Sequence, residues 1–464
     1  MSDQSMAQAV ADRPHFFIQL KQLMNLAGPL LAAQLLNTGT GVVDTMMSGH
    51  YSANDLAAVA IGNSIWLPLF LLIAGLMIAV TSMVARFHGA NDRQAIVDTT
   101  QQGIWLGLLV SAGVATILLN SEVLLGWFDV SAEVLPITAG YLAAIAFGMP
   151  AAAVFSGLRS YCEGMGKTQP FLIASLAAFL INIPLNYGLI YGRWGLPELG
   201  GVGCGWATAA SMWLQVILLL LFTRSEEKFH GTALLRSWSR PKLEQMRNVA
   251  RLGVPISLGV FAEVSIFSAV ALLLAPLGAN IVAGHQIALN VSHLIFMLPL
   301  SLSQAITVRV GYFLGREMQE VANFVVRTGL LTGMALSLMT MTLILLGRET
   351  IVQLYTTDPS VIALAVPLFL WMALYQFPDQ LQIMANASLR AYQDTRIPLR
   401  IILFSYWGVC LPLGFVLART DWLIEPMAAK GFWIGLLVGL TLTALLLLSR
   451  LYAIARQPLA RSAI

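Results

Sequence analysis

A chain of 464 residues is long enough for two or three water-soluble domains, yet 58% of it is hydrophobic and only 11% is charged, against about 25% charged in an average soluble domain. So little polar surface cannot cover a soluble globule, and a mean hydropathy of +0.76 excludes disorder as well. Most of the chain must therefore take lipid as its solvent. A formal charge of +3 gives no case for nucleic acid as a partner, and three scattered cysteines, Cys162, Cys204 and Cys410, make neither a disulfide framework nor a metal cluster.

Residues 1–23 open with polar positions (Asp3, Gln4, Asp12, Arg13) and no signal-peptide pattern. They read as a cytoplasmic N-terminal segment. A spanning helix needs about 20 mainly apolar residues, and twelve such runs follow: 24–46, 56–80, 103–125, 134–156, 168–192, 202–223, 250–276, 281–308, 325–347, 360–388, 398–418 and 428–449. Their breaks are turn-like or charged, as at Gly49-His50-Tyr51-Ser52, His88-Gly89-Ala90-Asn91-Asp92-Arg93 and Thr356-Thr357-Asp358-Pro359. The runs are continuous and lack the alternation of a β-barrel. The expected fold is an all-α polytopic membrane protein, with a bundle of six helices over 24–223, a cytoplasmic linker over 224–249, a second bundle over 250–449 and a cytoplasmic tail over 450–464.

Charge sets the expected orientation. With both termini in the cytoplasm, only Arg193, Arg348, Arg419 and Lys430 of the 26 Lys and Arg fall on the other side. The linker between segments 6 and 7 is the longest loop and carries Arg224, Lys228, Arg236, Arg240, Lys242, Arg247 and Arg251.

The two halves echo each other. At an offset of 226, Pro29 meets Pro255, Leu56-Ala57-Ala58-Val59-Ala60-Ile61 meets Val282-Ala283-Gly284-His285-Gln286-Ile287, and Gly89 meets Gly315. Leu158-Arg159-Ser160-Tyr161 is echoed by Leu389-Arg390-Ala391-Tyr392 at an offset of 231. Each repeat holds an even number of helices, so the two share one orientation as parallel repeats. That is a transporter architecture with substrate sites at mid-membrane between the halves.

Charges inside a bilayer are costly, at least about 2.5 kcal/mol for a central Asp. Three acids nevertheless lie within apolar runs: Asp44, Glu263 and Asp379. No Lys or Arg is expected deep in a segment to pair with them, so they must protonate, bind a cation or face water. At the helical rise, Glu263 lies roughly 18 Å from Arg251 and Asp379 roughly 17 Å from Arg390, near mid-membrane; Asp44 lies roughly 9 Å from His50, in the outer leaflet.

Helical spacing adds polar neighbours on single faces: Tyr375, Asp379, Gln382 and Asn386 in segment 10; Gln34, Asn37, Gly41 and Asp44 in segment 1; Asn182 and Asn186 in segment 5; Gln286, Asn290 and His293 in segment 8. These faces are expected to turn inward. The bland alternative for the amides is ordinary interhelical hydrogen bonding, which needs no ionisable group. The Tyr375 hydroxyl, one turn before Asp379, offers an oxygen ligand. Pro378 beside Asp379 and Pro184 between the two asparagines each free a backbone carbonyl and permit a kink. No Walker, HExxH or GxSxG motif is present, and the histidines lack metal spacing. The chain is thus no enzyme, and its energy must come from an ion gradient.

These features carry a resemblance. Val43-Asp44-Thr45-Met46-Met47-Ser48-Gly49, Asp55-Leu56-Ala57-Ala58-Val59, Asn182-Ile183-Pro184-Leu185-Asn186, Leu199-Gly200-Gly201-Val202-Gly203-Cys204-Gly205, Ala262-Glu263-Val264, Ala283-Gly284-His285-Gln286 and Leu389-Arg390-Ala391-Tyr392 together resemble a multidrug and toxic compound extrusion (MATE) transporter of the bacterial NorM-type branch, over nearly the whole chain. The resemblance implies two six-helix bundles around a central cleft and export of cationic, amphipathic drugs against inward Na⁺ or H⁺, with no bound cofactor. It implies that Glu263 and Asp379 are the second-half cation-site acids, with Tyr375 as a neighbouring ligand to Na⁺, and that Asp44 is the first-half acid linked to protonation. Gln34, Asn37, Asn182, Asn186, Gln286, Asn290 and Gln382 are the expected substrate-facing residues. The expected setting is a bacterial inner membrane, the expected state a monomer, and the expected partners are drugs, the coupling ion and the bilayer. The rival reading is a flippase for lipid-linked precursors, which would want a basic interior where this sequence puts acids.

Overall fold

In a computed structural model of the chain, the described residues are 14–126, 130–225, 232, 234–235 and 238–458. Lys228 and Arg236 of the expected linker, residues 1–13 of the N-terminal segment and 459–464 of the tail lie outside them.

Among the described residues, twelve helices are long and apolar enough to cross a membrane: α1 Phe16–Tyr51, α2 Ala53–Gly89, α3 Arg93–Leu119, α4 Leu135–Gly164, α5 Gln169–Tyr191, α6 Gly201–Arg224, α7 Leu243–Leu277, α8 Ala279–Gly315, α9 Gln319–Tyr355, α10 Pro359–Ala391, α11 Arg396–Arg419 and α12 Ala429–Ala455. Each matches one expected run, and most extend past it, because polar breaks in the sequence serve as caps rather than loops. Ser52 starts α2 by accepting from the Asp55 backbone N–H at 3.0 Å. Asp92 starts α3 by accepting from Ala95 N at 3.0 Å. Asp358 starts α10, accepting from Ser360 N at 2.8 Å and Ser360 Oγ at 2.7 Å. A side-chain oxygen at this position satisfies an N–H that the helix leaves free. Both bonds favour the anion, so the Asp358 carboxyl is held below the usual carboxylate range.

The repeat is visible in how proline is used. Pro29 in α1 and Pro255 in α7 are 226 residues apart; Pro150 in α4 and Pro378 in α10, and Pro184 in α5 and Pro412 in α11, are each 228 apart. Every pair falls on helices of the same rank in the two halves.

The compact units do not divide where the apolar runs suggest. One unit is Gly28–Ser257; the other joins the described residues up to Ala27 with those from Leu258 onward. These unit limits fall inside α1 and α7, beside the expected segment boundaries at 23/24 and 249/250. Side chains tie each stretch to its own unit. Gln19, at the start of α1, accepts from Arg309 Nη2 of α8 at 2.9 Å. Ser257 of α7 donates to the Leu72 carbonyl of α2 at 2.8 Å. The described residues of the expected linker pack against α3. Gln101 Nε2 donates to Leu234 O at 2.9 Å, Gln102 Nε2 to Arg240 O at 3.0 Å, and Trp105 Nε1 to Ser239 O at 3.0 Å. Gln101 and Gln102 are buried in α3, so backbone of the connection fills hydrogen bonds that no helix supplies.

In the second unit, α12 lies close against α11. A Cβ on Gly431 would come 2.5 Å from Ala418 N, and one on Gly435 2.7 Å from the Cys410 carbonyl. Next to this contact α11 widens into a π turn, Phe404–Cys410, a local expansion that re-aims the side chains around it. We expect Gly435→Leu to lower stability by at least about 1–3 kcal/mol, since its new atoms meet backbone that cannot rotate away. Thermal unfolding of the purified variant in detergent checks this, and a wild-type melting curve would contradict it.

Candidate functional site

The second unit concentrates polar side chains on α10. This helix runs without a break through Pro367 and Pro378, and its spacing puts Tyr375, Asp379 and Gln382 on one face. All three are buried, and Asn386, next on the stripe, is half-buried. Gln382 Nε2 donates to Asp379 Oδ1 at 3.3 Å. The Tyr375 hydroxyl is hydrogen-bonded to Ser292 Oγ of α8. Glu263 comes in from α7. It is half-buried as a residue, but its Oε1 is sealed from solvent and accepts no hydrogen bond; Gln382 Oε1 is likewise sealed and unpartnered.

Two carboxylates in one buried electrostatic environment repel each other. Glu263 lies within the field of Asp379, and also of Arg390 at the far end of α10. Arg390 corrects an expectation from the sequence. It lies in the last turn of α10 and is only 9% exposed, so one basic group is buried in the same unit as the acids. Tyr406, in the π turn, is also buried within the field of both acids. The groups facing this site are carboxylate, amide and hydroxyl oxygens, a hard donor set suited to an alkali cation or a proton. Among the described residues, no cluster of three or more His, Cys, Asp and Glu is arranged to hold a metal.

Asp44 lies in the other unit, and its surroundings differ. Only 4% exposed, it accepts from Asn186 Nδ2 at 2.6 Å and from Thr208 Oγ1 at 2.9 Å. Asn186 Nδ2 also reaches Asn182 Oδ1 at 2.8 Å. The glycines of Leu199-Gly200-Gly201-Val202-Gly203-Cys204-Gly205 make this possible. A Cβ on Gly203 would sit 2.6 Å from the Leu189 carbonyl of α5, and one on Gly205 2.8 Å from the Tyr141 carbonyl of α4. Backbone-to-backbone approach there draws α6 in, and Thr208 with it. Asp44 is thus met by neutral donors, whereas Glu263 keeps an unanswered oxygen. Asn182 Nδ2 and Asn186 Oδ1 remain without partners.

The remaining expected residues are less enclosed. Gln34 is half-buried, and Asn37 is exposed, accepting from Gln215 at 3.4 Å. Gln286 and Asn290 are exposed and bonded to each other at 3.4 Å, and His293 is exposed too. The buried face of α8 carries His285 and Ser292 instead. Sequence reasoning missed Ser292, Thr208, Gln376 and Gln380. The last two are buried one helical turn apart on α10, and none of their amide atoms has a partner. A signal was present: glutamine at i and i+4 within an apolar helix marks a polar face.

The family model MatE matches the chain twice, over residues 29–188 and 255–416. The chain belongs to the MATE family. The two MATE matches begin 226 residues apart, the offset at which the halves echo each other. The chain is similar to multidrug resistance protein PmpM of Pseudomonas aeruginosa, 44% identical over 440 residues that cover 95% of this chain and 92% of the relative. It is similar to multidrug resistance protein NorM of Vibrio cholerae, 41% identical over 95% of this chain and 96% of that one. Among solved structures it resembles the eukaryotic MATE transporter AtDTX14, with a TM-score of 0.84 at 22% identity, covering 95% of this chain and 98% of the other. An outward-facing multidrug resistance MATE transporter matches with a TM-score of 0.84 at 19% identity, covering 95% and 97%. These likenesses give the fold, twelve spanning helices in two six-helix bundles, and family membership makes this MATE protein a secondary transporter rather than an enzyme.

Proposed function

We propose that the protein exports cationic, amphipathic drugs across a bacterial inner membrane by alternating access, in exchange for inward Na⁺ or H⁺, as a monomer with both termini in the cytoplasm. Glu263 and Asp379 are the coupling acids, with Tyr375 as a third oxygen, and Asp44 is the acid of the first half. Gln34, Asn37, Asn182, Asn186, Gln286, Asn290 and Gln382 line the path of the drug. The observation that carries this reading is the sealed, unpartnered oxygen of Glu263 in the same field as Asp379. A carboxylate oxygen sealed from water without a hydrogen-bond donor is unfavourable, and a Na⁺ or a proton removes that penalty. Filling the site neutralises the acids and weakens the hold on a cationic drug. The coupling consists of that difference between the two ligands' preferred states.

Drug efflux from reconstituted vesicles, driven first by an imposed Na⁺ gradient and then by an imposed pH gradient, tests this directly. At least one gradient drives efflux above the rate without a gradient, and failure of both would overturn the proposal. Tyr375→Phe separates the ions. Its ring still packs on Trp433, 5.5 Å away, but the hydroxyl is lost. The Na⁺ concentration for half-maximal transport then rises several-fold, as expected for one lost oxygen contact of about 1 kcal/mol. An unchanged Na⁺ titration would remove Tyr375 from the ligand set and favour protonation alone.

A further inference from the structure

Trp433, beside Tyr375, and His285, beside Trp433, are two fully buried side chains with polar atoms that no hydrogen bond explains. His285 is 0% exposed, and both of its ring nitrogens lack a partner. Its ring is edge-on to Trp433, with centroids 5.8 Å apart. Trp433 is also 0% exposed, its Nε1 has no partner, and its ring lies 5.5 Å from that of Tyr375. Tyr375 holds Ser292 and shares its helix face with Asp379. His285 and Ser292 are seven residues apart on α8 and therefore on one face, with His285 roughly 10 Å nearer the Ala279 end.

Trp433 and Tyr375 belong to one buried, mainly apolar core cluster that also holds Ala288, Leu368 and Met372. A phenylalanine would pack in such a core without penalty. An imidazole offers a lone pair and an N–H, an indole offers an N–H, and leaving them unmatched in an apolar core is unfavourable. Buried polar groups of this kind are met by ordered water. A small hydrated cation needs the same thing, polar groups that hold its shell while it crosses apolar surroundings.

We propose that His285 and Trp433 form a hydrated access route by which the coupling cation, Na⁺ or hydronium, passes from the Ala279 end of α8 to Tyr375 and Asp379. His285 is a positioning residue for the water file and does not bind the cation at rest. This rests on the coupling-site reading above.

Radiolytic hydroxyl-radical labelling of the unmodified protein, followed by mass spectrometry, tests for the water. Trp433 is labelled despite complete burial; absence of label there overturns the route. Kinetics then test its use. In reconstituted vesicles, His285→Phe slows cation-driven drug efflux about tenfold, equivalent to about 1.4 kcal/mol on the barrier. The cation concentration that half-displaces bound drug at equilibrium stays within about twofold. His285→Gln, which keeps a donor and an acceptor, recovers most of the rate. Wild-type speed in H285F, equal slowing in both variants, or a shifted equilibrium midpoint each overturns the route. Running the assay under Na⁺ and pH gradients separately identifies the cation carried. A parallel Asp379→Asn arm keeps the two ideas apart: coupled transport surviving there refutes the coupling site itself, whatever His285 does.

Discussion

Asp379→Asn is expected to insert and fold like the wild type and to lose cation-coupled drug efflux. The substitution keeps the shape of the side chain and an oxygen for Gln382 Nε2, which now bonds Oδ1 at 3.3 Å. It removes the charge that a Na⁺ or proton would answer. A charge-assisted contact is worth about 1.5–3 kcal/mol, so cation affinity should fall on the order of tenfold to a hundredfold. At working concentrations that empties the site. Glu263→Gln should behave alike, and the double variant should be little worse than either single one, because residues serving one cation act as a unit. Fold can even gain slightly, as the mutual repulsion of two buried acids is relieved. Drug resistance of cells carrying equal membrane levels of each variant checks this, and wild-type resistance in Asp379→Asn would remove the acid from the coupling site.

Asp44→Asn should fold and then lose the pH response of drug release. Its partners are neutral and can adapt. The introduced amide can keep an oxygen toward Asn186 Nδ2, which also serves Asn182 Oδ1, and turn its Nδ2 toward Thr208, whose hydroxyl can rotate to accept. What cannot be replaced is the switch between a charged and a neutral oxygen. On the proposed reading, acidification from outside would protonate Asp44 in the wild type and release a cationic drug, so retention should fall as pH falls. In the variant, retention should be low and flat across pH. A fixed attractor would behave differently: affinity would drop at every pH while the shape of the curve survived. Drug binding to reconstituted Asp44→Asn across pH distinguishes the two. A preserved pH curve would move the proton site to Glu263 and Asp379.

The spanning helices were legible because lipid demands long apolar runs, and the repeat was legible because Pro29 and Pro255 share the offset of 226 with Gly89 and Gly315 across the first two helices of each half. The acids stood out for the same reason: a charge in such a run is rare. Partners were harder. Thr208 and Ser292 are ordinary helix residues by sequence, and only the close approach of α6 at Gly203 and Gly205, or of α8 to α10, gives them a carboxylate or a phenol to meet. Spacing also could not say which of two polar faces is buried. On α8 it pointed to Gln286 and Asn290, whereas the neighbouring face with His285 and Ser292 is the one enclosed. Counting places Arg390 at the end of its segment, where it is in the last turn of α10, but could not show that it is buried there. Loops divide the apolar runs, and the compact units divide within α1 and α7.

Coupling is reciprocal by thermodynamic necessity. A cation gradient that drives drug out must have its converse, in which a drug gradient drives cations uphill in the opposite direction. The decisive measurement loads vesicles with a cationic drug, holds Na⁺ and pH equal on both sides, and follows ²²Na⁺ and internal pH as the drug runs down its gradient. Transient uphill cation movement against the drug flow, absent in Asp379→Asn, is the predicted result. Drug efflux with no cation movement, or with cations travelling alongside the drug, would contradict it.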